Sequence, residues 1–135
     1  MSKLLQRLRD PARSGVYRSS DERAIFDAAR GAPLDVVAID LQGDIFESMA
    51  RALEFPDWFG RNWDALEDLL GDLSWRKADG HVLVFRGRPA GESLGILLEV
   101  LAATAEYWAG RGKPFFAVLV DPEKTLALPD LYREA

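Results

Sequence analysis

The stretch 55–73, FPDWFGRNWDALEDLLGDL, gathers the side chains of this chain best suited to chemistry at a surface. Asp64 and Asp68 stand four residues apart, Glu67 lies beside them, and Asp72 continues the row. On a helix this spacing lines carboxylates along one face, where each like-charged pair costs roughly 0.2–0.5 kcal/mol. The helix dipole relieves an acid near the N-terminus, as at Asp64, but not one near the C-terminus, as at Asp72. No lysine or arginine follows Arg61 before residue 73, although interleaved cations would stabilise such a helix. Trp58 and Phe59 precede the helix, flanked by Asp57 and Gly60, and Trp75 lies just beyond it. One of the two adjacent rings is expected to turn inward and the other to stay exposed. Acids and aromatics in one short window suit a surface that receives a strongly cationic partner. A merely solvated acidic face is the plainer alternative.

Helices and strands must hold these groups in place. Asn62 is a good N-cap for a helix over 63–72, whose Trp63, Leu66, Leu69, Leu70 and Leu73 fall at helical spacing and face inward. Asp44 with Glu47 starts a helix over 44–54, which Phe55-Pro56 ends. A third, long helix over 92–111 carries Leu94, Leu97, Leu98, Leu101, Ala105 and Trp108 on one face, with Glu92, Glu99 and Glu106 on the other. Strands are expected over 34–40, 81–85 and 115–120, the last two as nearly unbroken apolar runs of the kind buried on both faces. Strands alternating with helices imply crossover connections, hence an α/β architecture with a three-stranded parallel sheet. Residues 1–33 read as an N-terminal arm, loosely structured to residue 20, with Ser19 and Glu22 at capping-box spacing before a short helix. Residues 34–121 form the main domain and 122–135 a C-terminal tail.

Composition narrows the chemistry. A chain of 135 residues that is 48% hydrophobic and 29% charged is sized for one folded domain. With no cysteine and one histidine, thiolate and multi-histidine metal sites are excluded, and no cofactor is expected. The lone His81 reads as a surface or capping residue. The net charge of −5 argues against direct nucleic-acid binding through phosphate neutralisation. The charge is uneven: residues 1–30 carry net +3, whereas 54–72 alone carry −5. Arg86-Gly-Arg88 and Arg111-Gly-Lys113 read as solvated turns, and no glycine run has phosphate-loop spacing. No segment has the length of a membrane span, and the N-terminus lacks the apolar stretch of a signal peptide, so a cytoplasmic protein without a membrane partner is expected.

The window also resembles the core motif of the barstar family, intracellular inhibitors of secreted bacterial ribonucleases. The matching residues are Pro56, the aromatic pair Trp58-Phe59, Gly60, Asn62, Asp64-Ala65-Leu66 and Asp68-Leu69. The likeness extends more weakly over about 34–120, in the order of strands and helices. It implies a barstar-like α/β fold and a protein inhibitor rather than an enzyme. The partner implied is a basic ribonuclease, whose active site is plugged by the loop and helix. Carried onto this chain, Asp64 and Asp68 are the phosphate mimics, Trp58 and Phe59 the aromatic contacts, and Gly60 and Asn62 shape the approach. Glu67 and Trp75 adjoin that surface, and Glu106 is the acidic candidate on the long helix. Trp58 and Phe59 replace tyrosines, and Glu67 a tryptophan, of the family's best-known member.

Two further readings stay open. The same fold serves as an interaction or immunity module for another cationic protein, a reading motivated by the replaced tyrosines and by the N-terminal arm. The other is a small hydrolase using Asp64 and Asp68 as an acid–base pair, although a shared helix face offers no environment to divide those roles.

Overall fold

The structure, a computed structural model, describes residues 2–89 and 91–132. Its elements run α1 (Lys3–Leu8), a 3₁₀ turn (Pro11–Arg13), β1 (Gly15–Ser19), α2 (Glu22–Ala29), β2 (Leu34–Asp40), α3 (Ile45–Leu53), α4 (Trp63–Leu70), β3 (Gly80–Arg86), α5 (Ser93–Gly110) and β4 (Phe115–Val120). All neighbouring strands pair in parallel, in the order β1-β4-β3-β2.

The sheet has four strands where the sequence reading expects three. The additional strand comes from the arm. Val16 and Tyr17 register with Ala117 and Val118 of β4, and the Tyr17 ring stacks on Phe116 at 5.7 Å. The arm is therefore ordered by pairing with an edge that a three-stranded sheet would leave open. Chain 129–131 in turn flanks β1: Arg18 donates its N–H to the Pro129 carbonyl and accepts from Leu131 N–H. The cap of α2 is Asp21, whose carboxylate accepts from Ala24 N–H, while Ser19 holds Asp21 N–H.

β3 and β4 are buried along almost their whole length because helices cover both faces of the sheet. Leu83, Phe85, Phe115, Ala117 and Leu119 meet α3, α4 and α5 on one face. Val82, Val84, Phe116 and Val118 meet Leu4 and Leu8 of α1 and Ile25 of α2 on the other. The alternation follows the two-residue period of a strand. Residues 1–20 thus share with α2 the cover of a core face rather than forming a loose appendage. Leu8→Ala, at a fully buried position, should cost about 2–5 kcal/mol in urea unfolding, against the small change an unpacked arm would show.

Candidate functional site

α4 is anchored by its own termini. Asn62 Oδ1 accepts from Ala65 N–H at 2.8 Å, satisfying one of the free donors of the first turn. Its Nδ2 turns back to donate to the Gly60 carbonyl at 3.2 Å. A Cβ on Gly60 would stand 3.2 Å from that Nδ2 and 3.4 Å from the Ala65 Cβ, so glycine lets the loop close tightly on the cap. At the other end, Trp108 Nε1 donates to the carbonyl of Leu70, the last residue of the helix, at 2.8 Å. Leu66, Leu69 and Leu70 are buried between these anchors.

The outer face carries Asp64, Glu67 and Asp68, all exposed. None of the three side chains has a hydrogen-bond or ion-pair partner among the described residues. The nearby cations are engaged elsewhere: Arg51 and Arg61 each approach Glu47 at 3.8 Å. α4 ends at Leu70, two residues short of the expected limit, because Gly71 caps it. Asp72 therefore leaves the row and lines a separate hollow with Asp35, Arg76 and His81.

The two rings of the loop part company. Trp58 is 74% exposed. Phe59 is buried in an aromatic box, with its centroid 4.9 Å from Phe55 and 6.3 Å from Phe46, itself 4.9 Å from Trp63. Phe59 thus supports the loop from beneath, which corrects the expectation of a surface contact there. Trp75 is half-buried. It packs on Phe55 at 6.0 Å and donates its Nε1 proton to the Leu53 carbonyl at 2.9 Å, making it a strut between α3 and the loop after α4.

A groove of about 260 Å³ runs between α4 and α5, lined by Glu67, Asp68, Gly71, Ala103, Thr104 and Tyr107. Glu106 is exposed but does not line it; the aromatic side chain that α5 brings to the groove is Tyr107, which the sequence reading passed over. The helical period could have shown this. Leu97, Leu101, Thr104 and Trp108 point inward, so Tyr107, three residues after Thr104, borders that stripe, while Glu106 belongs to the outer row.

His81 is also corrected, being only 2% exposed. Strand register sets it beside Asp35 on β2, and its Nδ1 lies 3.0 Å from Asp35 Oδ2. Arg76 meets both oxygens of Asp35 at 2.8 and 2.9 Å and donates to Glu54, the left-handed C-cap of α3, at 2.8 Å. This clamp ties the loop after α4 to β2 and α3. Burial pushes the Asp35 carboxyl up, but its hydrogen bonds with His81 and Arg76 and the charges beside it prevail, bringing it to about 2 from an ordinary 3.8. No group of acids and histidines among the described residues could hold a metal ion.

A family model described as Barstar (barnase inhibitor) matches residues 30–120, more than half of the chain. None of the curated proteins compared with the chain matches it.

Two stability predictions follow from this geometry. Asn62→Ala should cost about 0.5–2 kcal/mol in denaturant unfolding, since it removes the cap of α4. Asp35 has a depressed folded-state pKa, so its stabilisation is complete above about pH 4 and is lost as pH falls toward about 2. Melting temperatures of the parent chain should drop through that window. Asp35→Asn should melt lower at neutral pH and show a shallower acid decline.

Proposed function

The chain belongs to the barstar family, and from that premise we propose that it inhibits a basic ribonuclease by covering the enzyme's active site with α4 and the loop before it. The family is one of inhibitors, and on this proposal the chain is a binding protein rather than a catalyst. The observation that carries the proposal is the acidic face of α4: three carboxylates exposed and without partners among the described residues, on a helix whose other face is buried and whose two ends are held by hydrogen bonds.

Such a face lies ready for cations. Asp64 and Asp68 take the place of RNA phosphates before the arginines and lysines of a ribonuclease cleft, with Glu67 widening the negative field. Opposite fields steer the encounter and raise association rates above the ~10⁵–10⁶ M⁻¹s⁻¹ of uncharged pairs. Because α4 is capped and its loop is braced by the box around Phe59, little ordering remains to be done on binding, and less affinity is lost to it. Trp58 is the exposed ring able to bury apolar area at the centre of the contact. Gly60 and Asn62 set the path of the loop, while Phe59 and Trp75 act from beneath.

A second reading, the same face directed at another cationic protein, is favoured by the carboxylate of Glu67 where the best-known family member has an indole. A hydrolase reading has no comparable support, because Asp64 and Asp68 share one open face and no described side chain hydrogen-bonds either of them.

Calorimetry against a panel of small basic microbial ribonucleases tests the proposal. One-to-one binding with loss of nuclease activity is expected. Asp68→Ala should weaken the complex by about 2–5 kcal/mol, a scale drawn largely from the barnase–barstar pair itself, whereas Glu123→Ala should be neutral. Tight, acid-dependent binding to a basic protein without nuclease inhibition would favour the second reading. Equal and negligible effects of both substitutions would overturn the assignment of the acidic face.

A further inference from the structure

The positive pole of this molecule lies outside the residues that match the family, on α1 and the 3₁₀ turn. Lys3, Gln6 and Arg7 stand at i, i+3 and i+4 on α1, while Leu4 and Leu8 face the sheet. Arg13 joins them from the 3₁₀ turn, and Tyr132 from the far end of the chain, placed by the pairing of Leu131 with Arg18. Together with Asp10 these residues line a hollow of about 370 Å³. Lys3, Arg7 and Arg13 have no ion-pair partner among the described residues, although Arg18 and Arg30 of the same arm are paired with Asp130 and Asp27. Asp10, the acid of the hollow, already caps the 3₁₀ turn by accepting from Ala12 N–H at 3.0 Å. Like charges four apart on a short helix repel, although Arg7 in the last turn also faces the favourable end of the helix dipole.

We propose that this hollow binds a nucleoside monophosphate unit. Lys3, Arg7 and Arg13 supply the charge-assisted donors a phosphate needs. Tyr132, 37% exposed and lining the same hollow, offers a ring face to the base, and Gln6 offers both a donor and an acceptor. The volume sits at the small end of ligand pockets and suits one nucleotide. The Asp10 carboxylate opposes a polyphosphate chain, and the net charge of −5 opposes a long polyanion lying across the rest of the surface. The sheet separates α1 from α4, so the two surfaces can be occupied together.

The experiment is calorimetric titration of the full chain at low salt with inorganic phosphate, adenosine monophosphate and a four-nucleotide single-stranded RNA. Saturable one-to-one binding of the nucleotide is expected, weakening as salt rises. The Arg7→Ala/Arg13→Ala double variant should lose at least about tenfold in affinity for each probe. Tyr132→Ala should weaken adenosine monophosphate and the tetranucleotide about five- to a hundredfold and leave inorganic phosphate unchanged. Arg7→Gln, which keeps the side-chain stem, replaces Arg7→Ala if the latter lowers the melting temperature. Asp64→Asn/Asp68→Asn should leave nucleotide affinity within about twofold, since those charges lie across the sheet. Tighter binding of the tetranucleotide than of the monophosphate identifies a strand as the source, and equal binding a free nucleotide. Absence of binding by both, insensitivity to the arginine substitutions, or an equal effect of Tyr132→Ala on inorganic phosphate would overturn the proposal.

Discussion

The constraint on which this structure turns is the division of α4 into a committed half and an uncommitted half. Leu66, Leu69 and Leu70 are buried against the sheet, Asn62 closes the first turn, and Trp108 holds the last carbonyl. With position and orientation set by these contacts, the acidic face needs no internal partner to stay in place. The repulsion among Asp64, Glu67 and Asp68 is a small cost, a few tenths of a kcal/mol for each neighbouring pair, beside the burial of three leucines at roughly 1.5–3 kcal/mol each. Packing can therefore sustain an electrostatically unfavourable surface without melting the helix that bears it.

Two struts extend this rigidity beyond the helix. Phe59 fills the box formed with Phe46 and Phe55, which leaves its neighbour Trp58 directed to solvent. Arg76 connects Asp35, Glu54 and the loop after α4 through charge-assisted hydrogen bonds, of which those to Asp35 are partly shielded from water. Both ends of the acidic surface thus rest on side chains that do not themselves reach it. A loop braced in this way loses little freedom when a partner arrives.

The sheet also separates charge. The cations of α1 lie on one side and the carboxylates of α4 on the other, with a layer of apolar strand side chains between them. An overall charge of −5 averages two opposite poles, which is why composition alone argued against direct nucleic-acid binding. Only the fold shows that Lys3, Arg7 and Arg13 pair with no acid among the described residues, whereas Arg18 and Arg30 of the same arm do.

Local physics was legible in the sequence. The Asn62 cap, the Pro56 stop, the leucine stripe of α4 and the apolar runs of β3 and β4 each depend on neighbours a few residues away, and the family motif is one contiguous window. What depends on distant partners was not. Val16 and Tyr17 read as arm until β4 offers them an open edge, and His81 reads as surface until strand register sets it beside Asp35. Tyr107 rather than Glu106 meets the groove because the rotation of α5 against α4 selects one residue of an adjacent pair. Periodicity assigns a side chain to a face of its own element, whereas the neighbours packed against that element decide whether the face meets water, core or a partner.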